Sequence, residues 1–271
     1  MPAINTNVNA LFAQQSLKVN ERNQSNAMRQ LSTGNRINTA ADDAAGMAIG
    51  QNMTSQVRGL NQAVRNVNDG INMMQTAEGA LGETSNMLQR MRELAVQSAN
   101  GTNSAVQRDY LQTEFVALSS QIGKIASDTK WNDTGLLNTA ANTFTFQAGT
   151  QSGQTVSVTI NAMTLTGLAI TAASVSTTTA ASAGLALLDT AIGLVNTQRA
   201  AIGAGINQMT YAVDNLSNVA ANVAASRSSI MDTDYATAST NLSKTQIIQQ
   251  AATAMLAQAN QQPQSVLTLL K

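Results

Sequence analysis

The chain has 271 residues, a formal net charge of zero at pH 7 and only 3% aromatic side chains. This composition excludes a core of large aromatic residues, and the sequence has no run of like charge that would indicate the basic face a nucleic-acid partner requires. With no cysteine and no histidine, the chain lacks disulfides, thiol nucleophiles, imidazole bases and the usual zinc ligands. We therefore expect no catalytic residue, no metal and no cofactor.

Residues 3–32 predict a helix with a weak apolar stripe of Ile4, Val8, Leu11 and Phe12. Asn, Gln, Ser and Ala fill most of its other positions. Ordering one residue's backbone costs about 1–2 kcal/mol, whereas a fully buried large apolar side chain contributes about 1.5–3 kcal/mol. We therefore expect this helix to be mobile in an isolated monomer and to order against a partner.

Two kinds of targeting signal are not found in the sequence. The N-terminal segment has neither the basic region nor the apolar region of a cleavable secretory signal, so we expect any export to use another route. No uninterrupted apolar run of about 18 residues occurs, so we expect no membrane partner.

A long second helix is predicted over 44–100, after a non-helical connector at 33–43. Asp42 and Asp43 lie where a helix N-terminus favours negative charge, and Gly101 is a typical stop signal. Apolar residues of this helix recur at alternating steps of four and three, which predicts one side of a coiled coil. They are Met53, Val57, Leu60, Val64, Val67, Ile71 and Met74.

A third helix is predicted near 105–127. Ser104 and Gln107 have the spacing of a capping box, and an apolar pattern follows them. Because the loop after Gly101 is short, we expect this helix to run antiparallel to the second.

Segment 130–181 predicts a small β region. Phe144 and Phe146 alternate with polar residues, as do the apolar residues at 156, 158 and 160, and a segment with two glycines separates the two runs. This pattern is typical of a β-hairpin. The Thr- and Ala-rich stretch 171–184 predicts a surface linker or an irregular segment.

A second heptad seam predicts a helix over 182–226 that packs on segment 53–74. Two columns at seven-residue steps begin at Leu185 and Leu188, and eleven of their twelve positions are apolar. The principal seam residues are Leu188, Ile192, Val195, Ile202, Ile206, Met209, Val213 and Leu216. Arg199 interrupts one column, where a charged side chain must pair with an opposite charge or extend to the solvent at the edge of the interface. We expect Arg199 to fix the register of the helices rather than to serve chemistry.

The C-terminal end repeats the N-terminal pattern, with a connector at 227–233 and an Ala- and Gln-rich helix over 234–261. The large apolar residues of this end are sparse in the helix and clustered in the tail. They include Leu242, Ile248, Leu256, Val266, Leu267, Leu269 and Leu270. The predicted fold is mainly α, a long antiparallel coiled-coil helical rod from both chain ends with a small central β-hairpin region.

Four predicted parts follow from this layout. Segments 1–32 and 234–271 form a domain of terminal helices, and 33–43 with 227–233 form its connectors. Segments 44–129 and 182–226 form the helical rod, which carries the β region 130–181 on its surface.

Both ends of the sequence resemble bacterial flagellins, in the order in which that family carries its motifs. The N-terminal motifs are INTNVNALFAQQSL, LSTGNRINTAADDAAGMAI and LQRMRELAVQSANGTN. The C-terminal motif is SRSSIMDTDYATASTNLSKTQIIQQAATAMLAQANQQPQSVLTLL. The resemblance covers nearly the whole chain, and only the middle departs from family members that carry large outer domains.

The resemblance implies a structural, self-assembling subunit of the bacterial flagellar filament, secreted to the cell exterior and serving motility. It implies unfolded export through the flagellar type III apparatus, with an export chaperone on the C-terminal helix and hook-associated junction and cap proteins as further partners. The terminal helices would form the inner tube of the filament. Its packing residues would be Ile4, Val8, Leu11, Leu242, Ile248, Leu256, Val266, Leu267, Leu269 and Leu270.

The resemblance also implies a contact patch for other proteins. Many flagellins are bound there by the innate-immune Toll-like receptor for flagellin, and the same patch would contact a neighbouring subunit in the filament. Its residues here are Leu88, Gln89, Arg90, Glu93, Leu94 and Glu114.

Three alternatives to a bulk filament subunit remain open at this point. A hook–filament junction protein shares the terminal pattern. A coiled-coil signalling or adaptor protein would normally carry a membrane segment. Some flagellins hold a metallopeptidase in the middle, which would need a histidine-containing helix motif.

Overall fold

Helices dominate the structure, a computed structural model that describes residues 6–139 and 141–269, with side chains as far as residue 261. The helices are α1 (Val8–Thr33), α2 (Ala44–Ala99), α3 (Ala105–Asp128), α4 (Thr178–Met231) and α5 (Tyr235–Leu269). The strands are β1 (Lys130–Trp131), β2 (Thr134–Gly135), β3 (Asn142–Gln147) and β4 (Thr155–Ile160). The predicted mainly α fold with a small central β region is confirmed.

Local sequence signals set the helix ends. Ser104 and Gln107 form both halves of the predicted capping box, since Ser104 Oγ accepts from the Gln107 N–H and Gln107 Oε1 accepts from the Ser104 N–H. Gly34 ends α1 with a φ of 72°, a left-handed conformation that glycine adopts without steric cost. Asp43 Oδ1 accepts from the Gly46 N–H at the start of α2, as the charge pattern predicted.

The chain divides into two units. The terminal unit comprises residues up to 57 and from 221 onward, and the central unit comprises residues 58–220. Helices α2 and α4 each contribute residues to both units. The predicted domain boundaries were placed further out, at 43/44 and 226/227.

In the terminal unit, α1 and α5 pair in antiparallel fashion through small residues. Asn7 Nδ2 donates to Ala259 O and Asn20 Nδ2 donates to Thr245 O, so residue numbers fall along α5 as they rise along α1. The buried side chains in this interface are mostly small: Ala10, Asn20, Ala27, Ala238 and Thr245. Small side chains let the two helix backbones approach closely, but they bury little apolar area.

In the central unit, large apolar side chains from α2, α3, α4 and the strands form one core. Leu81, Met91, Phe115 and Ile122 are at most 1% exposed, and all belong to the same cluster of contacting side chains. A fully buried leucine or phenylalanine contributes about 1.5–3 kcal/mol. This unit therefore builds its core from its own residues.

Three contacts fix the antiparallel register of α2 and α4 within the central unit. Leu60 on α2 clusters with Leu216 on α4, and the carboxylate of Glu78 lies 2.7 Å from Arg199 Nη2. Further along α2, the guanidinium of Arg92 pairs with Asp189. The partner of the Leu185 end of α4 is thus the segment of α2 beyond Met74, which the predicted α2 seam did not include.

The seam was predicted as two columns of residues on each helix, and within the central unit one column on each helix is buried. The column that begins at Leu188 is buried, with Leu188, Val195, Ile202 and Met209 at 0% exposure and Leu216 at 8%. Leu60, Val67 and Met74 are buried on α2 in the same way. The other predicted seam residues are only half-buried: Val57, Val64, Ile71, Ile192, Ile206 and Val213.

Two small residues, Gly70 on α2 and Gly205 on α4, are buried under the β3–β4 hairpin. A Cβ atom added at Gly70 would lie 2.8 Å from Phe146 Cδ1, and one added at Gly205 would lie 2.7 Å from Val158 Cγ2. Close packing of the hairpin therefore requires glycine at both positions. The coiled-coil pattern did not reveal these two positions because glycine has no apolar side chain.

The predicted β-hairpin is confirmed. β3 and β4 pair antiparallel, with Phe144 opposite Val158 and Phe146 opposite Val156 on the buried face. The outward face carries hydroxyl pairs, such as Thr143 with Thr159. This alternation follows from the two-residue period of a strand.

Segment 171–184 is more than the predicted surface linker. Val175, Ala181 and Gly184 are buried, and α4 already begins at Thr178. The C-terminal connector is also shorter than predicted, because α4 continues to Met231 and α5 begins at Tyr235. Small Ala, Ser and Thr residues are compatible with a helix when a large core lies beside them, which composition alone does not show.

Helix α4 is long and apolar enough to cross a bilayer by its length and mean hydropathy of 1.4 in one window. Its apolar column is instead buried against the rest of the central unit, as Leu188, Val195 and Ile202 show. A core helix of this kind meets the same numerical criterion as a membrane span.

Candidate interaction surfaces

The outer faces of α1 and α5 expose large apolar side chains. On α1, Leu11 is 55% exposed and Phe12 is 70% exposed; on α5, Ile247 is 65% exposed and Met255 is 66% exposed. Scattered apolar residues are ordinary on a protein surface. Here they lie on helices whose own interface is lined by alanine and asparagine, and most of the large apolar side chains described for the pair, up to residue 261, are exposed.

The residues predicted to pack in an inner tube fall into three groups. Val8, Leu11 and Ile248 are 50%, 55% and 41% exposed. Leu242 and Leu256 are half-buried. Ile4 and Leu270 lie outside the described residues, as do the side chains of Val266, Leu267 and Leu269.

Polar side chains position α1 on α5. Asn20 is 5% exposed, and its Nδ2 lies 2.7 Å from Thr245 O. Asn7 Nδ2 lies 2.8 Å from Ala259 O near the other end of the pair. A buried asparagine in an otherwise apolar helix interface specifies register, because a shift leaves its amide without a partner. The sequence pattern did not identify these two residues, since asparagine is common throughout α1.

The two connectors bind each other beside this pair. The Arg36 N–H donates to Met231 O at 2.7 Å, and the Thr233 N–H donates to Gly34 O at 2.9 Å. The guanidinium of Arg36 also donates to Ile230 O, through Nη2 at 2.7 Å. Arg36 thus satisfies carbonyls at the C-terminus of α4, where a positive charge is favoured.

Two aspartates order the turns next to the connectors. Asp42 Oδ2 accepts from the backbone N–H and the hydroxyl of Thr39, and these bonds hold the pKa of Asp42 below its ordinary value. Asp234 precedes α5 and accepts from the Thr237 hydroxyl and the Ala236 N–H, which lower the pKa of Asp234. Both carboxylates are therefore held in the charged form.

A charged patch lies on the exposed faces of α2 and α3 in the central unit. Arg90 Nε donates to Glu114 Oε1 at 2.9 Å, and Arg90 Nη1 donates to Glu93 Oε2 at 2.9 Å. The hydrogen bond to Glu114, followed by that to Glu93, raises the pKa of Arg90. Gln89 is exposed beside them. The four side chains form a surface on which the guanidinium plane is fixed by two carboxylates.

The predicted patch contained two residues that are not on this surface. Leu88 is 0% exposed and Leu94 is 1% exposed, and both belong to the core of the central unit. Their inclusion in a contact surface is wrong for the folded chain, because the helical period turns them inward. Arg92 lies in the same segment of α2 and is exposed, and its hydrogen bond to Asp189 raises the pKa of Arg92.

Comparison with known proteins identifies two family regions that together cover most of the chain. Residues 4–142 match the bacterial flagellin N-terminal helical region, and residues 185–270 match the bacterial flagellin C-terminal helical region. The chain is 41% identical over 270 residues to a flagellin of Halalkalibacterium halodurans, covering 99% of both proteins. It is 40% identical over 284 residues to the flagellar filament 33 kDa core protein of Treponema phagedenis, again with 99% of both covered.

A solved structure agrees with these relatives. The crystal structure of Bacillus cereus flagellin is similar to 56% of this chain and 88% of that one, with 35% identity and a TM-score of 0.51.

Proposed function

The chain belongs to the bacterial flagellin family, and we propose that the outer faces of α1 and α5 are its main polymerising surface. The family match and the full-length relatives make it a structural subunit of the bacterial flagellar filament, the polymer that serves motility. None of the comparisons favours the alternative of a hook–filament junction protein.

One observation carries the proposal. The terminal unit exposes large apolar side chains such as Phe12 and Ile247, while its internal interface is lined by Ala10, Ala27 and Ala238. Burying apolar surface contributes about 25 cal/mol per Å². Contact with neighbouring subunits would bury these side chains and supply the stabilisation that the pair lacks alone.

Polymerisation assays on matched variants test this proposal. We expect Phe12→Ser and Ile247→Ser each to reduce sedimentable filament strongly, while Gln14→Ser, at an exposed polar position of α1, leaves it unchanged. Circular dichroism of the monomers controls for loss of helix. Filaments of normal yield and diameter from a variant that combines Phe12→Ser with Ile247→Ser, observed by electron microscopy, would contradict the assignment of this surface.

We also propose that the chain is secreted to the cell exterior and that it binds export proteins on the way. Its relatives include a flagellar filament core protein, and a filament subunit works at the cell exterior. We expect type III export with a chaperone that covers the exposed residues of α5, and contacts with junction and cap proteins at the filament ends. Ile247→Ser and Met255→Ser should weaken binding of the purified export chaperone, whereas unchanged affinity would place the chaperone elsewhere.

A second role for the charged patch is recognition by the Toll-like flagellin receptor. Support comes from the exposure of Gln89, Arg90, Glu93 and Glu114 and from the fixed orientation of the guanidinium, because a preorganised arginine is typical of binding hot spots. Arg90→Ala should reduce activation of receptor-bearing reporter cells by monomer. Arg65→Ala, also on the exposed face of α2, is the control. Equal activation by Arg90→Ala and Arg65→Ala would exclude the charged patch as the receptor-binding surface.

A further inference from the structure

The turn between α2 and α3 carries the sole Asn-Gly dipeptide of the sequence, Asn100–Gly101. Both residues are exposed. The Asn103 N–H donates to Asn100 O at 3.3 Å, which closes a β-turn around Gly101 and Thr102. The side chain of Asn100 folds back over this turn, where its Oδ1 accepts from the Thr102 N–H at 3.3 Å.

We propose that Asn100 is a site of spontaneous deamidation that the surrounding turn promotes. The Gly101 nitrogen attacks Asn100 Cγ, a C–N bond forms, the Cγ–Nδ2 bond breaks, and ammonia leaves with the proton of the Gly101 amide. Solvent water then opens the cyclic imide at either carbonyl. The product at position 100 is aspartate or isoaspartate, and no oxidant or reductant takes part.

Hydrogen-bond donors lie at both oxygens on which negative charge develops during ring closure. When the Gly101 amide loses its proton, charge spreads to Asn100 O, which accepts from Arg108 Nη2 and from the Asn103 N–H, each at 3.3 Å. When the nitrogen attacks, charge moves to Asn100 Oδ1, which faces the Thr102 N–H. Donors fixed where charge develops lower the barrier of a reaction.

Arg108 is itself held in place at this turn. Its Nε donates to Ser98 O at 3.0 Å, so the guanidinium bridges a carbonyl in the last turn of α2 and the carbonyl of Asn100 in the turn that follows. The position of the cation is therefore set by the end of the helix as well as by the turn.

The chain contains an internal comparison for this chemistry, because Asp69–Gly70 can form the same cyclic imide. Asp69 and Gly70 lie inside α2, and Gly70 is buried against Phe146. In a helix the backbone N–H is bonded to a carbonyl four residues earlier, and the backbone cannot rotate toward the side chain. The helix therefore opposes ring closure at Asp69, whereas Asn100 lies in a turn outside the helix.

The reaction changes the charge and the backbone of an exposed turn. The formal net charge of the chain is zero, and each conversion adds one negative charge beside Arg108. The charge appears at the C-terminus of α2, where the helix dipole disfavours an anion. Isoaspartate also lengthens the main chain by one methylene at the point where α2 turns into α3.

The test is to age the full-length protein at mildly alkaline pH and to map its peptides by mass spectrometry with isoaspartate detection. Asn100→Asp provides the product standard. We expect Gly101→Ala to slow conversion by about tenfold, because a Cβ restricts the approach of the nitrogen. This variant should fold normally, since a Cβ at Gly101 meets no described atom within 4 Å.

A second variant tests whether the turn speeds the reaction beyond the intrinsic reactivity of the Asn-Gly dipeptide. Arg108→Met keeps an unbranched side chain but removes the donor, and we expect it to slow conversion by about threefold. Circular dichroism checks that the variant is folded. An intact amide at Asn100 after prolonged ageing would overturn the site, and an unchanged rate in Arg108→Met would overturn the role of the turn.

Discussion

The two units of this flagellin bury their side chains in opposite ways. In the central unit, large residues such as Leu81 and Phe115 lie inside and form one core. In the α1–α5 pair of the terminal unit, alanines and Asn20 lie inside, while Leu11 and Phe12 lie outside. The difference shows how one chain can combine a core that is complete in the monomer with helices whose apolar residues are left for other subunits.

The largest expected effect that tests this comparison is a change in the free energy of unfolding of the monomer. Leu81→Ala should reduce the free energy of unfolding by about 2–5 kcal/mol, because it opens a cavity in a closely packed core. Leu11→Ala, the same change at a position that is 55% exposed, should leave the unfolding of the monomer nearly unaltered. Urea denaturation measures both, and similar losses would show that the terminal unit carries a core of its own.

A smaller effect is expected at the charged pair inside the α2–α4 interface. Glu78 and Arg199 are 33% and 40% exposed at their side chains, so Glu78→Ala should cost about 1–2 kcal/mol, between the values for exposed and buried pairs. Exchanging both charges, Glu78→Arg with Arg199→Glu, should restore most of the loss. Failure of the exchange would mean that the pair does not fix the register of these helices.

Loss of the buried asparagine should have an effect of about 1 kcal/mol, confined to the terminal unit. Asn20→Ala removes the hydrogen bond to Thr245 O, and such a bond contributes about 0.5–1.5 kcal/mol. Amide hydrogen exchange should become faster in α1 and stay unchanged in α3. Asn23→Ala, at an exposed position of α1, is the control. Equal acceleration in both variants would refute a specific role for Asn20.

The smallest effect concerns pH at the start of α5. The hydrogen bonds from Thr237 and Ala236 lower the pKa of Asp234, so its folded value lies below its unfolded value. Its contribution to stability is therefore present above the unfolded pKa and is lost as pH falls through the folded pKa. Acid should loosen this helix end in the parent chain, and Asp234→Asn should remove that pH dependence in an NMR titration of the Thr237 amide.

Patterns of large residues and local caps were sufficient to predict most of the architecture. The Leu188 column, the Ser104 capping box and the Phe144–Phe146 alternation each report a strong local preference, and each is present as predicted. Leu88 and Leu94 were misplaced because their position in the motif was used without the helical period, which turns them toward the core.

Other features depend on contacts that a single sequence does not display. Gly70 and Gly205 are buried only because the hairpin packs above them. The β1–β2 ladder turns through Asn132 and Asp133, both with positive φ. That Asn-Asp pair is a signal for a tight hairpin turn, which a search for longer alternating runs overlooks.

The bridge between the connectors gives the terminal helix pair one closed end. Asn20 and Thr245 are separated by 225 residues, and closing so long a loop in a free chain costs about 5 kcal/mol of entropy. Because the bridge between Asn35 and Asp232 already closes this loop, α1 and α5 can pair turn by turn from that end without a further closure cost. A pair held in this way opens first at the end far from the bridge, so amide hydrogen exchange should become steadily faster from Asn20 toward Asn7. An incoming subunit would then meet loosened turns first and could exchange partners one helical turn at a time.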